Sequence, residues 1–309
     1  MTLTHNTIGC DIAKHHLDVF DPSDGTVRRI ANTPEAVDAY LATLAGRTVL
    51  VVYEATGSYD RLLRHALAEA GIRSSRVNPV MARRFAQACG RRAKTDALDA
   101  RMLAAFGERL RPAADSPPSK VRESLAALGK RRDQLVAMRS AEKTRLQEAH
   151  EPCVRTSLED MIAMLSQQID ACDRRIKAFI ARHDALRAQQ TLLRTAPGIG
   201  PVAATTLLAL MPELGVLPPK KIAALAGLAP YNHDSGMLRG RRCIYGGRRR
   251  VRQALYMAAL SAIRHCPRYR DFYNAIAERS KVKKIAIIAV ARKLLIHLNA
   301  MLRDSKIWT

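Results

Sequence analysis

The run Thr7-Ile8-Gly9-Cys10-Asp11-Ile12-Ala13 is apolar enough to be a buried β-strand, yet it carries a bare carboxylate, Asp11. No other stretch constrains the fold as much. An ionised carboxylate is costly to bury unless an arginine or a metal ion compensates it. Glu54 stands in a comparable place, ending the apolar run Thr48-Val49-Leu50-Val51-Val52-Tyr53. Asp96 and Asp99 open an apolar-periodic helix after Lys94-Thr95. Three residues apart, they share a helix face. Two carboxylates there raise each other's pKa unless a cation holds them. Four acids from two strand ends and one helix start suit a pair of Mg²⁺ (or Mn²⁺) ions. Such metals take hard oxygen ligands, and two of them can clamp a phosphodiester during displacement. The plainer alternative is four unrelated acids, with Asp96 a helix cap. Asp18, Asp21 and Asp38 are acids that occur nearby without any such reading.

Turn signals and periodicity predict what surrounds these acids. After the Asp11 strand, Leu17-Asp18-Val19-Phe20 alternates, Pro22-Ser23-Asp24-Gly25 is a turn, and Thr26 to Ile30 returns as a strand. Thr33-Pro34-Glu35 starts a helix, with threonine as cap and proline at the first helical position. That helix is expected to run to about Ala45. A strand over 48–53, a helix over 59–70, a strand over 72–78 and a helix from Asn78-Pro79 to Gly90 follow. Three strands, then helix, strand, helix, strand and helix is the order of a ribonuclease-H-like mixed sheet.

Pro112, Pro117 and Pro118 break the pattern and mark a boundary. Beyond it the chain reads as helical, so the expected class is α/β plus all-α. The expected domains are 1–111, a helical region 112–188 and a C-terminal domain 189–309. Two long helices are expected over 119–150 and 156–183, bent at Glu151-Pro152. The second carries Leu158, Ile162, Leu165, Ile169, Cys172, Ile176 and Phe179 at heptad spacing. That seam suits an antiparallel hairpin within the chain or a coiled coil between chains. Around Gly198-Ile199-Gly200 the sequence has the look of a helix–hairpin–helix, whose glycines let backbone N–H groups approach a phosphate. Helices are also expected over 219–227, 250–265, 268–279 and 283–303. The last should present Ile285, Ile288, Val290, Leu294, Leu295, Leu298 and Leu302 on an apolar face.

The partner is indicated by charge. Lys and Arg number 51 against 28 Asp and Glu, a net charge of +23, which points to a polyanion and above all to nucleic acid. A hydrophobic content of 48% excludes a disordered basic tail. The six cysteines include no CxxC pair and match no zinc spacing. No signal peptide and no membrane span is expected, so the setting is cytoplasmic and reducing. Ser235 lies in the turn Asp234-Ser235-Gly236, which is ordinarily just a turn. Within seventeen residues of it follow Arg239, Arg241, Arg242, Arg248, Arg249, Arg250 and Arg252. Guanidinium forks bind phosphate bidentately and can stabilise a pentacoordinate phosphorus. They can equally form a solvated nucleic-acid face with no chemistry. His233 is a possible base and is left unassigned.

The segments GCDIAKHHLDVF, VVYEATGSY and NPVMARRFAQACGRRAKTDALDARMLAAF resemble the DEDD transposases of bacterial insertion sequences. That family includes the pilin-gene invertase and the bridge-RNA-guided recombinases. PGIGPVAATTLLA, LAGLAP, DSGMLRGRR and GGRRRVRQALYMAAL resemble its second domain. The matches run in the family's order along nearly the whole chain. The resemblance implies a RuvC-like N-terminal domain whose four acids are Asp11, Glu54, Asp96 and Asp99. It also implies a C-terminal transposase domain with a nucleophilic serine at Ser235. DNA as substrate, a structured guide RNA, a homodimer or tetramer, a site shared between subunits and a nucleoid-associated location come with it. A metal-dependent junction nuclease would need the four acids but not Ser235. A purely binding protein would need neither. An actin-like kinase fails, because no glycine-rich phosphate loop follows Asp11 and the chain is basic.

Overall fold

A computed structural model describes residues 6–55, 57, 59–90, 96–232 and 242–308, without the side chains of 6 and 96–98. The chain divides into two compact units, Met1–Ser119 and Lys120–Thr309.

The first unit is a sheet with helices on both faces. Its strands are β1 (Asn6–Ile12), β2 (His16–Asp21), β3 (Thr26–Ala31), β4 (Val49–Glu54) and β5 (Arg73–Val77). They lie in the order β3-β2-β1-β4-β5. β2 is antiparallel to both β1 and β3, whereas β4 runs parallel to β1 and β5. This mixed sheet is consistent with the ribonuclease-H-like order expected from the sequence. α1 (Pro34–Ala42) and α2 (Arg61–Glu69) cover one face, burying Ile8, Cys10, Leu17, Val51, Tyr53 and Leu67. α3 (Pro79–Ala88) and α4 (Asp96–Leu110) cover the other, against Leu50, Val52 and Val77. β4 is apolar at successive positions because both its faces are covered.

Local chemistry sets the boundaries. The Thr33 hydroxyl accepts from the Ala36 N–H at 3.4 Å, and the Asn78 carbonyl accepts from the Val80 N–H at 2.8 Å. Each cap precedes a proline at the helix start, where a missing N–H costs nothing. β5 is an edge strand, and the proline-containing stretch after α4 covers it. Asp115 N–H donates to Ser74 O at 2.7 Å, and its carboxylate accepts from Arg76 N–H at 2.6 Å. Covering the edge blocks pairing with other chains.

The second unit begins with an antiparallel hairpin of α5 (Lys120–Glu148) and α6 (Pro152–Ala181). Leu135 packs with Leu165, Ile169 and Cys172, while Arg132 pairs with Asp173 and Arg139 reaches Ser166. The heptad seam is therefore used within the chain from Leu165 onward. α7 (Asp184–Arg194), α8 (Pro201–Leu210), α9 (Pro219–Leu225), α10 (Arg249–His265), α11 (Pro267–Ser280) and α12 (Lys283–Asp304) build the core, with the short pair β6 (Pro230–Tyr231) and β7 (Cys243–Ile244). α12 buries Val290, Leu294, Leu295 and Leu298 as its pattern predicts, but Ile285 is 52% exposed. Its first turn projects past the core, which begins at Ala286. Among the described residues, α12 is the one helix long and apolar enough to span a bilayer. Its apolar face is spent on the core of this unit.

Candidate active site

The β1 register brings the acids to one face. Side chains alternate along a strand, so Gly9 and Asp11 face the same way. That is the α4 face, because Ile8, Cys10 and Ile12 point into the α1 and α2 layer. Cys10 is paired with Tyr53 on parallel β4, so Glu54 ends up beside Asp11. Val52, two residues before Glu54, packs with Leu103 and Phe106 of α4, which confirms the face.

Two glycines fix where α4 lies. A Cβ on Gly9 would come 2.0 Å from Ala100 O and 2.4 Å from Ala104 N. A Cβ on Gly107 would come 2.3 Å from the Thr7 methyl and 2.7 Å from a Val52 methyl. At Gly9 backbone rests on backbone, at Gly107 the helix backbone rests on the two methyls, and α4 runs antiparallel to β1, from Asp11 back toward Thr7. Its first turn, with Asp96 and Asp99, stands at the strand ends that carry Asp11 and Glu54. Asp11, Glu54 and Asp99 are half-buried.

Among the described residues, no three His, Cys, Asp or Glu side chains stand close enough to share a metal, and the Asp96 side chain lies outside them. The donor set itself, carboxylate oxygens only, fits a hard divalent cation. Beside it stands an acid that sequence reasoning passed over. Asp18 is directly opposite Asp11 in the β1–β2 ladder, and Arg29 is directly opposite Asp18 in the β2–β3 ladder. Asp18 is buried, and Arg29 donates to both its oxygens at 2.9 Å. The signal was the alternation in HHLDVF, which sets Asp18 and Phe20 on one face, but only the register sets Asp18 against Asp11.

The arginine-rich stretch divides three ways. His233, Ser235, Arg239 and Arg241 lie outside the described residues. The described residues on either side form a short antiparallel stem, in which Pro230 pairs with Ile244 and Tyr231 with Cys243. At its base, a Cβ on Gly247 would come 2.1 Å from Gly227 N, and both glycines have positive φ. Arg248, Arg250 and Arg252 hold this base. Arg248 grips both Glu213 oxygens at 2.6 Å, Arg250 pairs with Asp133 of α5, and Arg252 donates to Gly246 O at 2.7 Å. Arg242 and Arg249 are exposed. Gly198 also has a packing reason, since its Cβ would come 2.2 Å from Ala258 O of α10. Gly200, the N-cap of α8, has open space around it.

Burial alone would raise the Glu213 carboxyl, but the Arg248 fork reverses this and holds it below the usual range. A depressed folded pKa contributes stability above the unfolded value, about 4.3, that is lost as pH falls through the folded one. Glu213→Gln is therefore expected to cost about 1–2 kcal/mol near pH 7, with the difference from wild type closing below about pH 4. Denaturant unfolding at both pH values checks this, and an equal difference at both would refute it.

A family model described as Transposase, of the DEDD IS110 type, matches residues 8–152. A second, described as Transposase IS116/IS110/IS902 family, matches residues 190–274. The pilin gene-inverting protein of Moraxella lacunata is 31% identical over 310 residues, covering 97% of this chain and 96% of that protein. The protein of the same name from Moraxella bovis aligns at the same identity and coverage. An uncharacterised 43.6 kDa protein of insertion element IS110 from Streptomyces coelicolor is 29% identical over 150 residues, 48% of this chain and 36% of that protein. Through matches that reach both compact units, the chain belongs to the IS116/IS110/IS902 family of insertion-sequence transposases.

Proposed function

We propose that this transposase cuts and rejoins DNA with Asp11, Glu54, Asp96 and Asp99 holding Mg²⁺ (or Mn²⁺) and Ser235 as nucleophile. The observation that supports the metal reading is that Asp11 and Glu54 lie at one end of one sheet face by register, with the first turn of α4 seated there by the Gly9 contact. The sheet order supports a RuvC-like reading of the first unit. When bound, the ions would polarise the scissile phosphate. The carboxylates would hold and orient those ions, and exposed Arg242 and Arg249 would neutralise phosphate charge. The Moraxella relatives are named for inverting a gene. Inversion requires rejoining as well as cutting, which favours a recombinase over a junction nuclease. A structured guide RNA, a homodimer or tetramer and a nucleoid location belong to the same reading.

The direct test is divalent-dependent cleavage of DNA carrying the element ends. Asp11→Asn and Asp99→Asn should each lose cleavage while keeping DNA or RNA binding nearly intact. Unchanged cleavage in either would sink the metal-site reading. Binding should also weaken with salt, the log–log slope falling by about 0.9 for each duplex phosphate neutralised. Arg242→Ala and Arg249→Ala should each shallow that slope by about one unit. Arg248→Ala and Arg250→Ala should instead lower the melting temperature, because those guanidiniums have intramolecular partners. A slope unaltered by Arg242→Ala and Arg249→Ala would place the interface elsewhere.

A further inference from the structure

We propose that Asp18 is a positioning residue for the cation site and that Arg29 sets the charge Asp18 presents there, an inference that rests on the acid-site reading above. Arg29, Asp18, Asp11 and Glu54 form a row across β3, β2, β1 and β4. Residues directly opposite in an antiparallel pair have Cβ atoms about 4.5–5.5 Å apart, and like charges there destabilise the sheet. Asp18 is 4% exposed and accepts from Arg29 Nε and Nη2, with His16 Nε2 3.5 Å away. Arg101 of α4 lies over Phe20, the next β2 residue on this face, at 4.4 Å.

As an ion pair, Asp18 and Arg29 set a carboxylate that is 4% exposed against a guanidinium that is 58% exposed. An apolar pair would hold β2 to β3 as well, without setting a second negative charge opposite Asp11. The repulsion becomes useful once a cation sits at Asp11, because Asp18 then adds to the field that holds it. Arg29 offsets part of that field and keeps the Asp18 carboxylate turned toward β3.

The two sides of the Asp18–Arg29 pair therefore act on cation affinity with opposite signs. Mn²⁺ binding to the full-length protein, read from the free-ion electron paramagnetic resonance signal, tests this. Asp18→Asn should weaken binding about 10-fold, the lower end for residues supporting metal ligands. Arg29→Gln should tighten it several-fold, and Arg29→Lys, which keeps the charge, should stay near wild type. A structural pair broken from either side would shift affinity in one direction for both variants. That outcome, or no shift in either, overturns the proposal. If Asp18→Asn does not fold, the sign of Arg29→Gln against Arg29→Lys still decides. Asp11→Asn is the control. Loss of binding there with Asp18→Asn and Arg29→Gln unchanged removes this inference alone. A wild type that binds no more Mn²⁺ than Asp11→Asn removes the metal reading and this inference together.

Discussion

Ser235→Ala is expected to form no covalent protein–DNA adduct and to lose rejoining by at least about 10³-fold, the scale of losing an activated nucleophile. In the proposed step the Ser235 oxygen attacks phosphorus and a Ser–O–P bond forms as the bond from phosphorus to a deoxyribose oxygen breaks, the proton lost by the serine hydroxyl being matched by the one the leaving oxygen takes up. The phosphoserine link retains the bond energy, so attack by a deoxyribose hydroxyl reverses the step without ATP. A nuclease using water needs no such residue. The β6–β7 pair is held by backbone contact between Gly227 and Gly247 and by the Arg248–Glu213 pair. Labelled DNA, incubated with protein and then denatured, should give a protease-sensitive adduct with wild type only. Mixing Asp11→Asn with Ser235→Ala protein should partly restore activity if two subunits share one site. If Ser235→Ala cleaves and rejoins at the wild-type rate, the junction-nuclease reading takes its place.

Gly9→Ala is expected to cost about 3 kcal/mol of stability, the upper range for overpacking, and to lower cleavage about 10²-fold although it touches none of the four acids. Its Cβ would meet Ala100 O at 2.0 Å, which is main chain and cannot swing aside. α4 must lift off β1, carrying Asp96 and Asp99 with it. A displacement of about 1 Å in a catalytic group can lower rate about 10²-fold. Gly129→Ala is the matched control. Gly129 is inside α5 with nothing within 4 Å of its Cβ position, so alanine there should gain up to about 1 kcal/mol by helix propensity. Thermal unfolding and cleavage of both variants check the pair. A Gly9→Ala protein with wild-type melting and cleavage would mean that α4 does not position the acids.

Asp11 and Glu54 were legible as candidates because burying charge is expensive, so a carboxylate in an apolar strand stands out. The element order of the first unit was legible for a similar reason. Thr33-Pro34 and Asn78-Pro79 announce helix starts through backbone hydrogen bonds that depend on only a few neighbouring residues. Period-two and heptad patterns likewise reveal which faces are buried, and the 156–183 seam was visible in this way. Whether that seam packed within the chain was not, since an apolar stripe does not name its partner. The hairpin decides it through Leu135, Leu165 and Ile169.

The arginines show the same division. Seven in one stretch read as one phosphate-binding surface, because charge is a property of composition. Arg248, Arg250 and Arg252 prove to have partners at Glu213, Asp133 and Gly246, at sequence distances of 35, 117 and 6 residues. Asp18 was passed over because its meaning lies in the pairings Asp11↔Asp18 and Asp18↔Arg29. The sequence by itself determined residue types, periods and caps, which are local. Register, the close approach that Gly9 permits, and the pairing of distant charges were decided by tertiary packing, because each depends on where another segment comes to rest.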